Sequence, residues 1–318
     1  MTGEPIATWA QRELRAMGST AVLIAGDGPL GLLDWAASEL NRLERCWSRF
    51  LADSELSELN RSAGRWFPMS DTLALAVDRS FDLHWLTGGL FDPTVHDRLV
   101  ELGYDRTFRE IEPSLSRPVG PGAPAPGVSG IERDGTHIRL PAGVRLDLGG
   151  VGKGLGADLL ATGLLDRGAR SACVSLGGDI RVAGSTPEPD GWHIPIEDPL
   201  VEGATWGTVP LANSAIVTST TLIRRWRRGS RILHHLVDPR AGEPTMNGVT
   251  AAIVIAPEAW LAEGLAKAAV VAGPDQGRAL LDTGELCGWL ALADGTVVPS
   301  GSAPALLHPA VRHPTATG

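Results

Sequence analysis

Cysteine is scarce: three residues in 318, at Cys46, Cys173 and Cys287, with no two forming a CxxC pair. That excludes a zinc ribbon and a dithiol redox site, and an odd count among apolar neighbours reads as buried free thiols in a reducing compartment. Positive charge is also short, with 28 Lys and Arg against 37 Asp and Glu and a net charge of -9. A general nucleic-acid binder needs a basic face to displace counterions, so that class is set aside; a local basic pocket for a phosphorylated small molecule is not. No apolar run approaches the roughly 20 residues that span a bilayer. The opening residues MTGEPIATWAQREL show no basic region followed by an apolar stretch. The expectation is a cytoplasmic protein with no membrane insertion and no nucleic-acid partner.

What is present is ordinary globular composition, 43% apolar and 20% charged, in a chain long enough for one large domain or two. Residues 18–26 (GSTAVLIAG) read as a short strand. Residues 30–48 place Leu33, Ala37 and Leu40, then Cys46 and Trp47, on one helical stripe against Glu39, Arg42 and Arg45. Ser70 followed by Asp71 is a helix start; Leu73, Val77, Phe81 and His84 keep the spacing, and Gly88-Gly89 ends it. Residues 113–130, rich in Pro and Gly, read as an irregular loop. Further along, the pattern predicts a hairpin over 137–148 turning at Pro141-Ala142-Gly143, a helix over 155–167, and two strand pieces over 171–184 broken by Gly177-Gly178. It also predicts strand-like runs at 207–217, 231–238 and 248–256, a helix over 257–272, and a loose tail over 303–318. Antiparallel hairpins interleaved with a few long helices make the class α+β, not a βαβ series.

Four local constellations carry chemistry. Asp147-Leu148-Gly149-Gly150-Val151-Gly152-Lys153-Gly154 follows a predicted strand and opens a predicted helix. Unpaired N–H groups, glycines that admit close approach and one lysine suit a diphosphate, and equally a tight strand–helix turn. A Walker A loop fails there, because Asp147 replaces its first Gly and Gly154 its Ser or Thr. Phe91-Asp92-Pro93-Thr94-Val95 sets a carboxylate at a helix start, which caps the helix or meets a ligand. Gly177-Gly178-Asp179 inside strand-like sequence marks a bulge or a close approach. In His234-His235-Leu236-Val237-Asp238, the strand period puts His235 and Val237 on one face. The basic run Arg224, Arg225, Arg227 and Arg228 around Trp226 reads as a solvated hairpin edge or a phosphate grip.

Taken in order, MGST at 17–20, DSELSELN at 53–60, FDPTV at 91–95, DLGGVGKG at 147–154, SLGGDI at 175–180, TST at 218–220 and HHLVDPRAG at 234–242 resemble the FAD:protein FMN transferase (ApbE-type) family. Residues 249–273 are similar to its C-terminal strand–helix unit. The resemblance implies one α+β, T-fold-like unit of antiparallel sheets and packed helices over 1–310. Its two lobes surround a central flavin cleft, with the 113–130 loop between them and 311–318 as a tail. It implies an enzyme that splits the FAD diphosphate, joins FMN through its phosphate to a Ser or Thr of an acceptor protein, and releases AMP; a minority of the family use water and act as FAD pyrophosphatases. On matching positions, Met17 falls beside the adenine end and Phe50 where the family often stacks a Tyr on the flavin. Leu90, Phe91 and Asp92 fall in the flavin site, Asp147, Gly149, Lys153 and Leu155 on the diphosphate loop, and Gly178, Asp179 and Ser219 among the remaining FAD contacts. His235, with Asp238 nearby, falls where a base assists the attacking hydroxyl.

The resemblance also implies magnesium, held by a main-chain carbonyl at the position of Gly152 and by an Asp and a Thr four residues apart on the C-terminal helix. This chain has Glu263 and Lys267 there. Glu keeps an oxygen ligand on a longer arm; a charged Lys has no lone pair to offer. Three readings follow. Lys267 supplies the metal's charge; or the protein keeps FAD as carrier, sensor or scaffold without transfer; or Lys267 points away and the ion finds other ligands. Glu263 and Lys267 also stand in the favourable order for an ordinary helical salt bridge.

Overall fold

A computed structural model describes residues 9–112, 119–186 and 188–309. Eight strands form one antiparallel sheet: β1 (Trp9–Ala16), β2 (Ser19–Gly26), β3 (Ser171–Leu176), β4 (Asp179–Gly184), β5 (Ala215–Thr220), β6 (Val249–Ala256), β7 (Cys287–Leu292) and β8 (Val297–Ser300). Their order across the sheet is their order in the chain. Within the sheet, alternation decides the faces. Ala21, Leu23 and Ala25 of β2 and Ala172, Val174 and Leu176 of β3 point to one side. They meet α1 (Leu32–Trp47) and α5 (Gly152–Asp166) there, while Ala252 and Val254 of β6 meet α6 (Ala259–Ala272) on the same side. Cys173, Val182, Ile253, Ile255 and Trp289 point the other way. They are covered by a three-stranded sheet of Trp192–Glu197, Thr205–Leu211 and His308–Pro309.

A second lobe grows between β2 and β3. It holds the C-terminal end of α1, α2 (Glu55–Arg61), α3 (Asp71–Leu86), α4 (His96–Glu101) and a small sheet of Trp66–Pro68, Glu132–Asp134 and His137–Arg139, around Leu56, Leu59, Leu73, Val77, Leu83 and Ile138. Ser70 caps α3 by accepting from the Leu73 N–H at 3.2 Å. Helix α5 is buried almost all round. It packs so close to the start of α6 that any Cβ on Gly154 would collide with the Ala259 carbonyl. Asp158 of α5 caps α6 from outside, accepting from the Ala259 and Trp260 N–H groups at 2.9 Å each, and pairs with Arg181 at 3.1 Å.

Several expectations need correction. Residues 137–148 form no hairpin: His137–Arg139 pairs with Glu132–Asp134 and Trp66–Pro68 instead. The following stretch is held by a side chain. Asn60 donates to the Leu146 carbonyl at 2.9 Å and accepts from the Leu146 N–H at 2.8 Å, doing what a neighbouring strand would do. The run 207–217 is two strands in two sheets, parted at Asn213, which has positive φ. Gly177-Gly178 is not a bulge but the two-residue turn joining β3 to β4, both residues at positive φ. The tail reading of 303–318 fails at its start, where Ala303–Leu306 is helical and His308–Pro309 pairs with Thr205–Leu211. Residues 311–318, and 113–118 of the Pro/Gly loop, lie outside the described residues. Residues 119–130 are irregular, as expected, and bond across to the 238–243 segment through Ala125 N to the Pro239 carbonyl and Gly122 N to Glu243.

Candidate functional site

At one end of the main sheet lie the β1–β2 turn (Met17, Gly18), the β3–β4 turn, the segment 221–248 between β5 and β6, and the N-terminus of α5. A cavity of about 410 Å³ opens there between the lobes. Of the residues singled out from sequence, Met17, Phe50, Leu90, Phe91, Asp92, Asp147, Gly149, Gly152, Lys153, His235 and Lys267 line it. They come from both lobes and span 250 positions of chain, so only the fold brings them together.

The cavity's apolar part is built from Trp47, Phe50, Leu90, Phe91, Val95 and Leu99. Phe50 and Tyr104 lie with ring centroids 5.6 Å apart, and the Arg49 guanidinium sits 4.1 Å from the first ring and 4.7 Å from the second. Arg49 is buried, pairs with Asp147 at 2.8 Å, and donates to the Tyr104 carbonyl at 2.7 Å. Its remaining terminal nitrogen, Nη2, has no partner. Asp147 in turn accepts from the Gly149 N–H at 2.6 Å, which fixes the glycine turn at the head of α5. Gly150 is required there, because a Cβ would run into the Phe91 ring. Asp92 caps the short turn Pro93–Val95, accepting from the Thr94 N–H at 2.8 Å and its hydroxyl at 2.6 Å, and also faces His84 at 3.3 Å.

The cavity also carries charge. Lys153 contacts Asp179 and lies 3.2 Å from Glu263; Lys267 lies 2.9 Å from the same Glu263 oxygen, Oε1, and Gly154 N–H donates to Oε2 at 2.8 Å. Glu263 is fully buried and Asp179 nearly so. Burial alone would raise the Glu263 carboxyl, but the two ammonium groups and the Gly154 N–H hold it down at about 2. Burial pushes Asp179 up to about 6 against the pull of Lys153. Burial lowers Lys267, with Glu263 opposing, whereas for Lys153 the attraction of Asp179 and Glu263 outweighs burial and raises it.

The two adjacent histidines differ. His234 is buried, with Nε2–H donating to the Thr245 carbonyl at 2.9 Å and Nδ1 accepting from the Leu236 N–H at 3.3 Å, so it is a neutral strut. His235 lines the cavity with Nδ1 buried and unpartnered. Burial first, then the charges of Arg224, Lys267 and Lys153 with His234, push it well below the usual range. It is therefore neutral near pH 7 and keeps a free lone pair.

Leu155, Gly178, Asp179, Ser219, Asp238 and Glu263 do not line the cavity. Leu155 is core beneath the glycine turn, Gly178 is the hairpin turn, and Ser219 is buried in β5. Asp238 is turned onto Arg240 at 2.8 Å. Asp179 and Glu263 stand behind the two lysines. Glu263 and Gly152, expected to hold magnesium, are a poor donor set: both Glu263 oxygens are engaged, and two ammonium groups stand where a divalent cation would have to approach. Magnesium takes oxygen ligands in a near-octahedral shell; this arrangement repels it. Among the described residues, the group of three with metal-binding spacing is the exposed Asp190, His193 and His308 on the outer sheet.

Sequence reading missed Arg49 and Tyr104, and left Arg224 open. Arg49 was signalled only by being a lone charge in CWSRFL, next to Phe50. Arg224 lines the cavity and donates to the Tyr104 hydroxyl at 3.3 Å, while Arg225 and Arg227 of the same run are exposed on the hairpin.

The sequence profile of the ApbE family matches residues 17–288. An FAD:protein FMN transferase of Rhodobacter capsulatus is 31% identical over 243 residues, 75% of this chain and 46% of that protein. One from Vibrio cholerae is 26% identical over 243 residues, 75% of this chain and 72% of that protein. The chain thus spans about half the length of the first and nearly three quarters of the second. Among solved structures, the apo flavinyl transferase ApbE of Pseudomonas stutzeri superposes with a TM-score of 0.80 at 24% identity, covering 96% of this chain and 98% of that one. The Thermotoga maritima ApbE protein gives 0.83 at 21%, covering 95% and 100%. At these identities the structures speak for the fold alone. No described helix is long and apolar enough to cross a membrane.

Proposed function

This chain belongs to the ApbE family, and we propose that it is an FAD:protein FMN transferase, moving FMN from FAD onto a Ser or Thr hydroxyl of an acceptor protein and releasing AMP. The observation that carries this is a single cavity in which an aromatic wall adjoins a glycine-rich helix N-terminus with Lys153, Lys267, Arg224 and a neutral His235. An aromatic wall suits an isoalloxazine ring; N–H groups and cations suit a diphosphate.

In this reading the flavin lies against Phe50, Phe91 and Tyr104, with Met17 toward the adenosine. The diphosphate rests at Gly149 to Lys153. The acceptor hydroxyl attacks the FMN phosphorus while the His235 imidazole takes its proton, because a hydroxyl is a weak nucleophile until a base relieves it of that proton. The bond to the bridging oxygen breaks, and AMP leaves with the electron pair. Arg49 holds Asp147, and so the glycine turn, in place. Magnesium, which the resemblance implies, has no fitting ligand set at Glu263, and no step here depends on it. A cytoplasmic setting belongs to the same proposal and is supported by three buried, unpaired thiols.

Incubating the purified protein with FAD and a Ser/Thr acceptor protein, followed by mass spectrometry, tests the proposal. AMP release with FMN mass on the acceptor supports it. Free FMN in place of labelled acceptor assigns water as the nucleophile, and FAD that neither binds nor reacts refutes the reading.

A further inference from the structure

Two lysines converging on one buried carboxylate at a cavity wall are an unusual arrangement. Lys153 comes from the first turn of α5 and Lys267 from α6, and both Nζ atoms reach the same Glu263 oxygen, at 3.2 and 2.9 Å. Both side chains also line the cavity. Glu263 cannot turn away: its other oxygen is tied to the Gly154 N–H at 2.8 Å, and it is wholly buried. Asp179, behind Lys153, fixes that ammonium from the other side. The carboxylates therefore act as holders, and what the cavity meets is a pair of positioned cations, with Arg224 contributing a third charge to the same end. Ammonium groups supported in this way are oriented before any ligand arrives, and an anion need not reorganise them.

We propose that Lys153 and Lys267 form a metal-independent diphosphate site, in which the Lys267 ammonium occupies the place and supplies the charge of a divalent cation. The inference rests on the flavin-transfer reading and deepens it. In the transfer step the acceptor oxygen–phosphorus bond forms, the bond from that phosphorus to the bridging oxygen breaks, and the hydroxyl proton passes to His235. The charge that grows on the departing phosphate of AMP is met by the two ammonium groups. Lys267 carries one positive charge where a divalent ion carries two, so the device trades strength of stabilisation for freedom from metal.

The test uses the wild-type protein and Lys267→Thr, each with FAD and a Ser/Thr acceptor protein, in excess magnesium and in excess EDTA. Three things are read: FAD retention by fluorescence, AMP release by chromatography, and binding of added Mn²⁺ by electron paramagnetic resonance. For the wild type, FAD retention and AMP release should differ by less than about 2-fold between the two conditions, and Mn²⁺ should remain free with FAD present. Lys267→Thr, which removes the ammonium and restores an oxygen, should gain Mn²⁺ binding and a magnesium stimulation of ~10-fold or more. Wild-type protein that takes up Mn²⁺ with FAD and loses FAD or activity in EDTA overturns the inference, whether or not the variant folds. FAD retained equally in EDTA but never cleaved keeps the diphosphate site and removes the transfer reading. FAD not retained in either condition removes both.

Discussion

Asn60 offers the cleanest perturbation of the site's scaffold. It is buried, and its amide satisfies both the N–H and the carbonyl of Leu146, one residue before the Asp147 that pairs with Arg49. In Asn60→Leu the heavy-atom branching of the side chain is kept, and both backbone groups lose their partners. A buried unpaired N–H or carbonyl costs about 1–3 kcal/mol, so a loss of about 3 kcal/mol is expected. At roughly 2 cal/mol/K of unfolding entropy per residue, a chain of this size shifts Tm by about 1.5 °C per kcal/mol, which makes about 4–5 °C. Asn60→Asp adds a sign. Its ionised carboxylate would face the Leu146 carbonyl, so the proton is favoured in the folded state and the folded pKa rises above the unfolded value of about 3.9. Its stability is then lost as pH rises through that window and partly recovered toward pH 4, where Asn60→Leu shows no such recovery. Thermal unfolding by circular dichroism at a series of pH values reads both. A shift below about 1 °C for Asn60→Leu would show that water reaches Leu146 and that the side chain is not the strut described here.

Replacing His235 with Ala should lower turnover by roughly 100-fold or more with Tm unchanged, whereas His234→Ala should lower Tm by freeing the Thr245 carbonyl and the Leu236 N–H; parallel kinetics and melting curves separate the two. Because the pKa of His235 lies well below 6.5, its base form is lost only as pH falls well under that value, so kcat should stay level from pH 8 down past 6.5; an acid limb centred near 6.5 would contradict its placement. Arg49→Met should weaken FAD binding by about 10-fold or more in a fluorescence titration, since it leaves buried Asp147 unpaired and loosens the glycine turn; unchanged affinity would mean that Arg49 only packs. Burial raises the Asp158 carboxyl to about 6, so the folded state holds that proton more tightly than the unfolded chain; stability is highest below the unfolded value and declines as pH rises from about 4 to 6. Urea unfolding of wild type against Asp158→Asn should show a steeper decline in the wild type, the part contributed by Asp179 being common to both.

The helix at Ser70 and the long helices were legible because their signals are local, a cap and a period of 3.6, whereas Gly177-Gly178, read as a bulge, is the turn of a hairpin. The 137–148 hairpin was misread because strand-like alternation does not say what the strand bonds to, and here the partner is an amide from residue 60. Arg49 was invisible for a related reason. Its meaning comes from Asp147, far along the chain, and from two rings that converge on it only in the fold. The departure at Lys267 was plain in the sequence, but its partners were not: the lysine shares Glu263 with Lys153, a contact between two helices.

The sequential order of the sheet has a kinetic consequence. Every neighbouring strand pair is joined by the chain that links it, but the links are unequal. β3 and β4 are two residues apart, while β2 and β3, in register from Ala21↔Leu176 to Gly26↔Ser171, are separated by residues 27–170. Closing a loop of that length carries an entropy loss on the order of 4 kcal/mol before the first rung forms. The hairpin Trp9–Gly26 is therefore expected to join after the intervening lobe has collapsed and brought its ends together. Hydrogen exchange should find the β2–β3 rungs the first of the sheet's interior to open.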